Sequence, residues 1–133
     1  MQIAKLYECI KNKKVNNSHA REAIYEVLKK SDDCLSVFGI TQGLQENYPK
    51  TVSLNTIYRH LTLFAECALV TVIQDDFKKS YYTLTKDTAH VFTLCPKCHT
   101  ITTVENTEHL EKLLVTLENT EYITIHRKCQ NCQ

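Results

Sequence analysis

The sequence predicts an α+β protein in which an N-terminal winged helix precedes a smaller α+β unit with a four-cysteine zinc site. Three observations predict this fold. Apolar residues recur at helical spacing in the first half, the period then shortens to about two, and two CxxC motifs lie thirty residues apart near the end. With 133 residues, 43% hydrophobic and 23% charged, the chain suits one domain or two small ones and excludes a large multidomain enzyme.

Two helices open the predicted winged helix, behind a separate leading helix over Ile3 to Lys13. The first has Ser18 as its candidate N-cap. Its apolar stripe consists of Ala20, Ala23, Ile24, Val27 and Leu28. The second runs from Ser36 to Tyr48 and contains Gly39 and Gly43, each of which costs a helix roughly 1 kcal/mol relative to Ala.

The third predicted helix is capped by Ser53 and has two different faces. Its apolar inner face is formed by Leu54, Ile57, Leu61, Phe64 and Ala65. Its polar outer face is formed by Asn55, Tyr58, Arg59 and Thr62. In a helix-turn-helix unit the corresponding helix enters the major groove of DNA, so the outer face is the first functional indication.

A change of period follows Cys67 and Ala68. The segments Leu69 to Ile73 and Tyr81 to Leu84 are rich in β-branched and aromatic residues, and the polar run Asp75 to Lys79 separates them. This pattern predicts a β-hairpin. Three helices followed by a hairpin make a winged helix.

A second unit of about fifty residues begins near Thr85. Its predicted elements are the strands His90 to Leu94, Ile101 to Val104 and Tyr122 to His126, and a helix with Leu110, Leu113, Leu114 and Leu117 on one face. This leucine stripe can bury the helix within one subunit or across a two-fold axis. We divide the chain into residues 1–83, the winged helix, and residues 84–133, the zinc-stapled unit.

The two CxxC motifs, Cys95 with Cys98 and Cys129 with Cys132, predict a structural zinc site. Two intervening residues let both sulfurs of a turn reach one ion at about 2.3 Å, and four thiolates close the coordination shell. A redox pair in each motif and an iron–sulfur cluster have the same spacing and remain open. We expect the other cysteines, Cys9, Cys34 and Cys67, to be small buried apolar residues.

The charge distribution is uneven although the net charge is only +1. Residues 1 to 21 contain five basic groups and one acid. No run approaches the roughly 18 apolar residues of a membrane span, and the N-terminus lacks the apolar core of a secretory signal. We therefore expect a cytoplasmic protein without a membrane partner.

Three segments resemble the ferric uptake regulator (Fur) family of bacterial metal-sensing and peroxide-sensing repressors. They are Ser18 to Arg21, Val52 to Leu61, which is similar to the family signature SLxTVYRxL, and His90 followed by the first CxxC. The resemblance covers nearly the whole chain. It implies a homodimer of winged helices, joined by C-terminal dimerisation domains, that binds AT-rich palindromic operators in double-stranded DNA and represses transcription.

The resemblance also assigns DNA contacts by position. With Asn55 and Thr62, which share the polar outer face, the candidate contacts are Tyr58, Arg59, Lys13, Lys14 and Arg21. Tyr58 and Arg59 correspond to the family's base-reading and phosphate-reading pair, since a ring can pack on a thymine methyl and a guanidinium can bind guanine or phosphate. Lys13 and Lys14 fall where the family has a basic minor-groove arm. The alternatives are a half-buried aromatic for Tyr58 and ordinary surface charges for the basic residues.

The regulatory site of the family is not matched. Its ligand positions here are Cys34, Thr83, His90, Phe92 and Thr103, of which only Cys34 and His90 can bind a metal, and these two are the candidate sensory residues. Three interpretations stay open: no inducible metal, a rearranged site, or a response of Cys34 to a thiol oxidant or haem. Further donors for a rearranged site would be His99, Glu105, Glu108 or His126.

Two local departures matter for the zinc unit. His99 follows Cys98 where the family has Gly, which predicts a more restricted turn because Gly relieves the strain of positive φ. The strand before the second CxxC is short, which predicts a smaller dimerisation sheet.

Together these patterns predict a DNA-binding transcriptional regulator, a repressor of the Fur type with structural Zn²⁺, and not an enzyme. The regulatory metal is left unassigned, with none as one of the options. The alternative function is a thiol-redox or zinc-ribbon protein-interaction module.

Overall fold

The computed structural model describes residues 8–9, 19–85, 90–104, 108–114, 120 and 122–133. Its helices are α1 (His19–Lys30), α2 (Val37–Asn47), α3 (Leu54–Glu66) and α4 (Glu108–Leu114), with a 3₁₀ helix at Gln130–Cys132. Its strands are β1 (Val70–Gln74), β2 (Ser80–Leu84), β3 (His90–Leu94), β4 (Ile101–Thr103) and β5 (Tyr122–His126). These bounds confirm the predicted order of elements.

The predicted leading helix is described only at Glu8 and Cys9, which are both helical. Lys13, Lys14 and the candidate cap Ser18 lie outside the described residues.

The predicted cap at Ser53 is confirmed, and the structure adds a cap at Ser36 that was not predicted. The Ser36 hydroxyl accepts a hydrogen bond from the Gly39 N–H at 3.2 Å, and the Ser53 hydroxyl accepts one from the Thr56 N–H at 3.2 Å. Each serine thereby satisfies one of the backbone donors that a helix leaves open at its N-terminus. The bond at Ser53 fixes where α3 begins.

The main core lies between the first three helices and the wing. Its buried side chains include Ile24, Leu28, Ile40, Leu44, Ile57, Leu61, Phe64 and Leu69. Gly43 accounts for the close approach of α1 and α2, since a Cβ built there would lie 2.6 Å from Val27 Cγ1. The helix penalty of a glycine at this position is thus offset by closer packing of two helices.

One part of the predicted inner face of α3 is wrong. Leu54 is 57% exposed and Ala65 is also exposed, whereas His60 is buried at 4%. At about 100° per residue, Leu54 and Ala65 fall on one edge of the stripe centred on Ile57 and Phe64, while His60 falls on the opposite edge. The helix is rotated so that the core covers the edge with His60.

The wing is the antiparallel pair β1 and β2, with Val72 opposite Tyr82. Leu35 adds a short third segment through two hydrogen bonds with Tyr82, of 2.8 and 2.7 Å. In the turn between the strands, the buried Asp75 carboxylate accepts hydrogen bonds from the N–H groups of Phe77 and Lys79 and from the Tyr81 hydroxyl. The predicted polar tip is therefore a structured turn.

The second sheet has the order β4-β3-β5, with β3 antiparallel to β4 and parallel to β5. The first CxxC motif directly follows β3, and the parallel pairing of β5 with β3 brings the second motif to the same end of the sheet. None of the helices within the described ranges is long and apolar enough to cross a membrane.

Candidate nucleic-acid interface and metal centre

The outer face of α3, formed by Asn55, Tyr58, Arg59 and Thr62, is exposed at all four positions. Tyr58 is 50% exposed, so its ring is available to a partner. The Thr62 hydroxyl donates a hydrogen bond to the Tyr58 carbonyl at 2.9 Å, which leaves it less free for base recognition than the sequence suggests. The face thus presents one aromatic ring, one guanidinium and one amide to solvent.

A groove adjoins this face between the first turns of α2 and α3 and the wing. Its volume is about 550 Å³, and its lining includes Phe38, Leu54, Tyr58, Lys78 and Lys79. Phe38 is 68% exposed. The sequence did not identify Lys78, Lys79 and Phe38 as parts of this surface. The two adjacent lysines at a predicted hairpin tip could have indicated a basic patch there.

Two basic side chains lie beneath the outer face. Arg21 is only 3% exposed and His60 only 4%, so the structure does not place Arg21 with the exposed DNA-contact candidates. Burial, followed by the neighbouring charges of Arg21 and Arg59, lowers the pKa of His60 to about 4. Burial and the charge of Arg59 also lower the pKa of Arg21. His60 is therefore neutral at physiological pH.

The four-cysteine cluster consists of Cys95, Cys98, Cys129 and Cys132. One sulfur from each residue lies within 4.8 Å of every other, and the sulfurs of Cys98 and Cys129 are 3.6 Å apart. A tetrahedral zinc ion with bonds of about 2.3 Å needs sulfurs roughly 3.8 Å apart. The geometry and the four soft donors therefore fit a closed zinc site. The first motif follows β3 and the second follows β5, so their pairing depends on the sheet.

Hydrogen bonds around the cluster affect its thiols differently. Hydrogen bonds from the backbones of Cys129 and Cys98 are the main causes that lower the pKa of Cys95, to about 5. Hydrogen bonds from Thr100 lower the pKa of Cys98. Hydrogen bonds with the sulfurs of Cys129 and then Cys98 raise the pKa of Cys132 to about 12. Backbone donors aimed at sulfur are typical of a site that holds thiolates.

The turn after Cys98 confirms the predicted restriction, since His99 has a φ of 64°. Its ring contacts Phe77 of the wing, with the ring centroids 4.4 Å apart and an interplanar angle of 62°. Phe77 is otherwise 71% exposed. The wing and the zinc knuckle are thus in contact through two aromatic rings, which the sequence did not reveal.

Two of the five positions that the resemblance assigns to a regulatory site, Cys34 and Phe92, belong to an apolar joint. The joint consists of Cys34, Ile73, Phe92, Leu94 and Ile101, with Tyr81 and Tyr122 packed against it. Phe92 is fully buried and makes an edge contact with Tyr122, at 6.2 Å between centroids. Burial, followed by the charge of Asp33, raises the pKa of Cys34 to about 11, so its thiol is protonated.

The other candidate ligands are not brought together in the described structure. The backbone of His90 opens β3, but its side chain and Glu105 lie outside what is described. Thr83 lies on β2, and Thr103 pairs with Phe92 across the sheet. Within the described residues, three or more metal-binding groups meet only at the four-cysteine cluster.

The two remaining cysteines correct a prediction. Cys9 and Cys67 are only partly buried and are joined by a disulfide, rather than acting as small buried apolar residues. They are 58 positions apart, and their spacing in the sequence does not predict a disulfide.

These features define a class of protein: winged-helix proteins whose third helix has an exposed polar face and whose second unit contains a four-cysteine cluster. The chain matches the sequence model of the ferric uptake regulator family over residues 12–130, and it belongs to that family. Its members are transcription regulators, so the chain is a DNA-binding regulator and not an enzyme. No curated protein matches the chain in sequence.

Several solved structures have the same fold. The Helicobacter pylori ferric uptake regulator, described as having three functional metal binding sites, is 21% identical, with a TM-score of 0.80 over 99% of this chain and 91% of that one. The Vibrio cholerae regulator is 19% identical, with a TM-score of 0.72 over 92% and 98%. A Campylobacter jejuni peroxide stress regulator is 25% identical, with a TM-score of 0.64 over 84% and 87%.

Proposed function

We propose that this protein is a cytoplasmic repressor of the Fur type that binds operator DNA as a homodimer without a regulatory metal. The observation that carries this proposal is the apolar joint, in which Phe92 is buried where a metal ligand would be needed. Residues 1–83 would bind DNA, and residues 84–133 would form the dimer around structural zinc.

The outer face of α3 supplies the chemistry for DNA recognition. The Tyr58 ring can pack on a thymine methyl, and the Arg59 guanidinium can chelate a phosphate or guanine, because both project from an exposed helix face. Thymine contacts would favour AT-rich sequences. Two-fold symmetry of the dimer would make the operator palindromic, with a recognition helix in each half-site.

Positive charge near this face would supply affinity without sequence preference. Lys78 and Lys79 line the groove beside Tyr58, where they can reach phosphate oxygens. Arg21 would act indirectly, since its buried charge raises the positive potential beneath Arg59. Lys13 and Lys14 remain proposed phosphate contacts from the sequence.

The apolar joint would replace the regulatory metal as the link between the wing and the second sheet. Its members come from both regions: Ile73 and Tyr81 from the wing, and Phe92 and Leu94 from β3. A ligand can shift a conformational equilibrium only if it binds the two arrangements differently. Because Cys34 is protonated and its neighbours in the joint, such as Phe92, are apolar, the joint offers a divalent ion few ligand atoms.

Zinc would have a structural role in this mechanism. Cys95, Cys98, Cys129 and Cys132 would hold one Zn²⁺, which supplies a link between the end of β3 and the end of the chain. A measured content of one zinc per chain, with these four thiols unreactive, would favour a regulator. Facile reversible oxidation of Cys95 and Cys98 would instead favour the thiol-redox module.

The decisive experiment is DNA binding by zinc-loaded protein. The probe is a duplex that the protein itself selects from a random-sequence library. Its affinity is measured under two conditions: with a metal chelator too weak to remove zinc, and, without the chelator, with added Fe²⁺ or Mn²⁺. We expect less than about a threefold change in affinity. A tenfold or greater increase with either ion would overturn the metal-free joint.

Arg59→Ala tests the assigned face on the same duplex. Loss of a phosphate or guanine contact should weaken binding by on the order of 1 to 3 kcal/mol and leave the zinc content unchanged. Arg127→Ala is the matched control, since it removes the same charge from an exposed position outside the outer face of α3. Equal affinities of the two variants would count against the face.

A further inference from the structure

Cys9 and Cys67 form a cysteine pair that the function proposed above does not use. Their sulfurs are bonded, and their Cα atoms are 5.9 Å apart. Native disulfides have Cα separations of about 4.4 to 6.8 Å, so the backbone positions alone suit a bond. Both residues are partly exposed, which gives small oxidants and reductants access to the sulfurs.

The position of Cys67 is well fixed by the end of α3. Its N–H donates a hydrogen bond to the Leu63 carbonyl at 3.0 Å, and its side chain packs against the main core. The next two N–H groups bond back to the Ala65 and Phe64 carbonyls, which closes the helix. Cys67 therefore holds its sulfur at one place, where a helical Cys9 meets it.

The pair differs from the other five cysteines. Four of those gather in a cluster that fits zinc, and Cys34 is buried with its pKa raised to about 11. A thiol reacts as a thiolate and needs solvent access, both of which the surroundings of Cys34 oppose. Within the described residues, Cys9 and Cys67 alone combine partial exposure, a partner sulfur and no place in a metal cluster.

We propose that Cys9 and Cys67 are a reversible thiol–disulfide site that is oxidised by hydroperoxides and reduced by dithiols. In the first step, one thiol releases its proton and the thiolate attacks an oxygen of hydrogen peroxide. The O–O bond breaks, a sulfenic acid forms, and the leaving hydroxide takes up the released proton to become one water. The second thiol then displaces a second water as the S–S bond forms. Two thiols thereby lose two electrons and two protons, and hydrogen peroxide is reduced to two waters.

The cysteine pair belongs neither to the outer face of α3 nor to the four-cysteine cluster. In a reducing compartment, disulfides are usually transient and redox-responsive rather than permanent. The bond ties the chain ahead of α1 to the C-terminal end of α3 across 58 positions. Closing a long loop restricts the unfolded chain, so the oxidised form should be the more heat-stable one.

The test uses full-length, zinc-loaded protein, first reduced with dithiothreitol and then treated with stoichiometric hydrogen peroxide. We expect the intact mass to fall by about 2 Da and a peptide joining Cys9 to Cys67 to form. The zinc content should not change. The melting temperature should rise by at least about 5 °C, and dithiothreitol should reverse both effects.

Three variants serve as controls. Cys9→Ser and Cys67→Ser should each abolish the mass change and the rise in melting temperature, whereas Cys34→Ser should retain both. Cys9 and Cys67 remaining open to alkylation after peroxide would overturn the proposal, as would linked peptides confined to the four zinc-site cysteines. Because peptide mapping is done on the unmodified protein, the result does not depend on the folding of any variant.

Discussion

The four-cysteine cluster and the apolar joint both attach to β3, yet they stabilise the structure in different ways. The cluster begins at Cys95, directly after the strand, and its four sulfurs are arranged for an ion that the chain does not itself supply. The joint is centred on Phe92 within the strand and is complete with the chain's own side chains. We therefore expect metal to matter for the folding of the second unit, whereas the link to the wing consists of packed apolar side chains.

Removing zinc should have the largest effect. Structural zinc contributes an apparent ~10 to 16 kcal/mol in small zinc-binding peptides, and a unit of about fifty residues has only a marginal core of its own. We expect a strong chelator to unfold residues 84–133, with loss of strand signal in circular dichroism. Cys129→Ser should behave in the same way at ordinary zinc concentrations.

The control is Cys34→Ala, which removes a thiol from the joint and should retain the zinc. Restoring zinc to the chelated protein should restore the signal. An unchanged spectrum after complete zinc removal would show that packing alone maintains both regions.

Truncating the joint should have the next largest effect. Phe92→Ala removes a fully buried ring and its edge contact with Tyr122, and such changes typically cost about 3 to 5 kcal/mol of unfolding free energy. Phe92→Leu keeps most of the apolar volume and should cost less than about 1.5 kcal/mol. Urea unfolding of both variants, with zinc bound, measures the difference.

Equal free energies of unfolding for the two Phe92 variants would contradict a joint that is stabilised by apolar packing. The zinc content should be the same in both, because the cluster lies beyond the end of the strand. A loss of zinc in Phe92→Ala would mean that the two regions are one cooperative unit.

Acid should destabilise the winged helix through His60, which lies in neither the cluster nor the joint. Its pKa falls from an ordinary 6.5 to about 4 in the folded protein, so the unfolded chain takes up the proton first. Stability is then complete above pH 6.5 and declines as the pH falls towards 4, by on the order of 3 kcal/mol. Urea unfolding at pH 7 and at pH 4.5 measures this decline.

His60→Gln does not titrate and should lose that part of the decline, while His19→Gln, at an exposed histidine of α1, should keep it. Because acid also protonates zinc thiolates in every variant, the informative quantity is the difference between each variant and the unmodified protein. A His60→Gln profile parallel to that of the unmodified protein would contradict the buried, neutral histidine.

Much of the fold could be predicted because it depends on local signals. The Ser53 cap, the apolar stripes and the change of period all depend on neighbouring residues. The strands β3 and β5 were predicted with their observed bounds. The four-cysteine cluster was predictable because CxxC spacing is set by the reach of two sulfurs to one ion. Signals of this kind need no knowledge of tertiary packing.

The missed features depend on contacts between distant segments. The disulfide joins positions 58 apart, and the ring contact between Phe77 and His99 joins a wing turn to the zinc knuckle. The rotation of α3 that buries His60 follows from packing against α1 and the wing rather than from its own pattern. The sequence showed only that position 92 lacks a metal-binding side chain. The packing of Phe92 in the apolar joint was seen in the structure.

The smallest predicted effect compares two strained residues, one in the winged helix and one in the zinc knuckle. Ala68 at the end of α3 has a φ of 57°, and His99 in the zinc knuckle has a φ of 64°. Since glycine adopts this region without the steric cost of a Cβ, Ala68→Gly should stabilise the protein by about 1 kcal/mol. His99→Gly relieves similar strain but removes the ring contact with Phe77, worth about 0.5 to 1.5 kcal/mol, so its net effect should be near zero.

Thermal unfolding of the two glycine variants tests this difference. Phe77→Ala is measured both alone and combined with His99→Gly, because the cost of removing the Phe77 ring should vanish once the His99 ring is absent. Equal gains for both glycine variants would mean that the contact between wing and knuckle contributes nothing to stability.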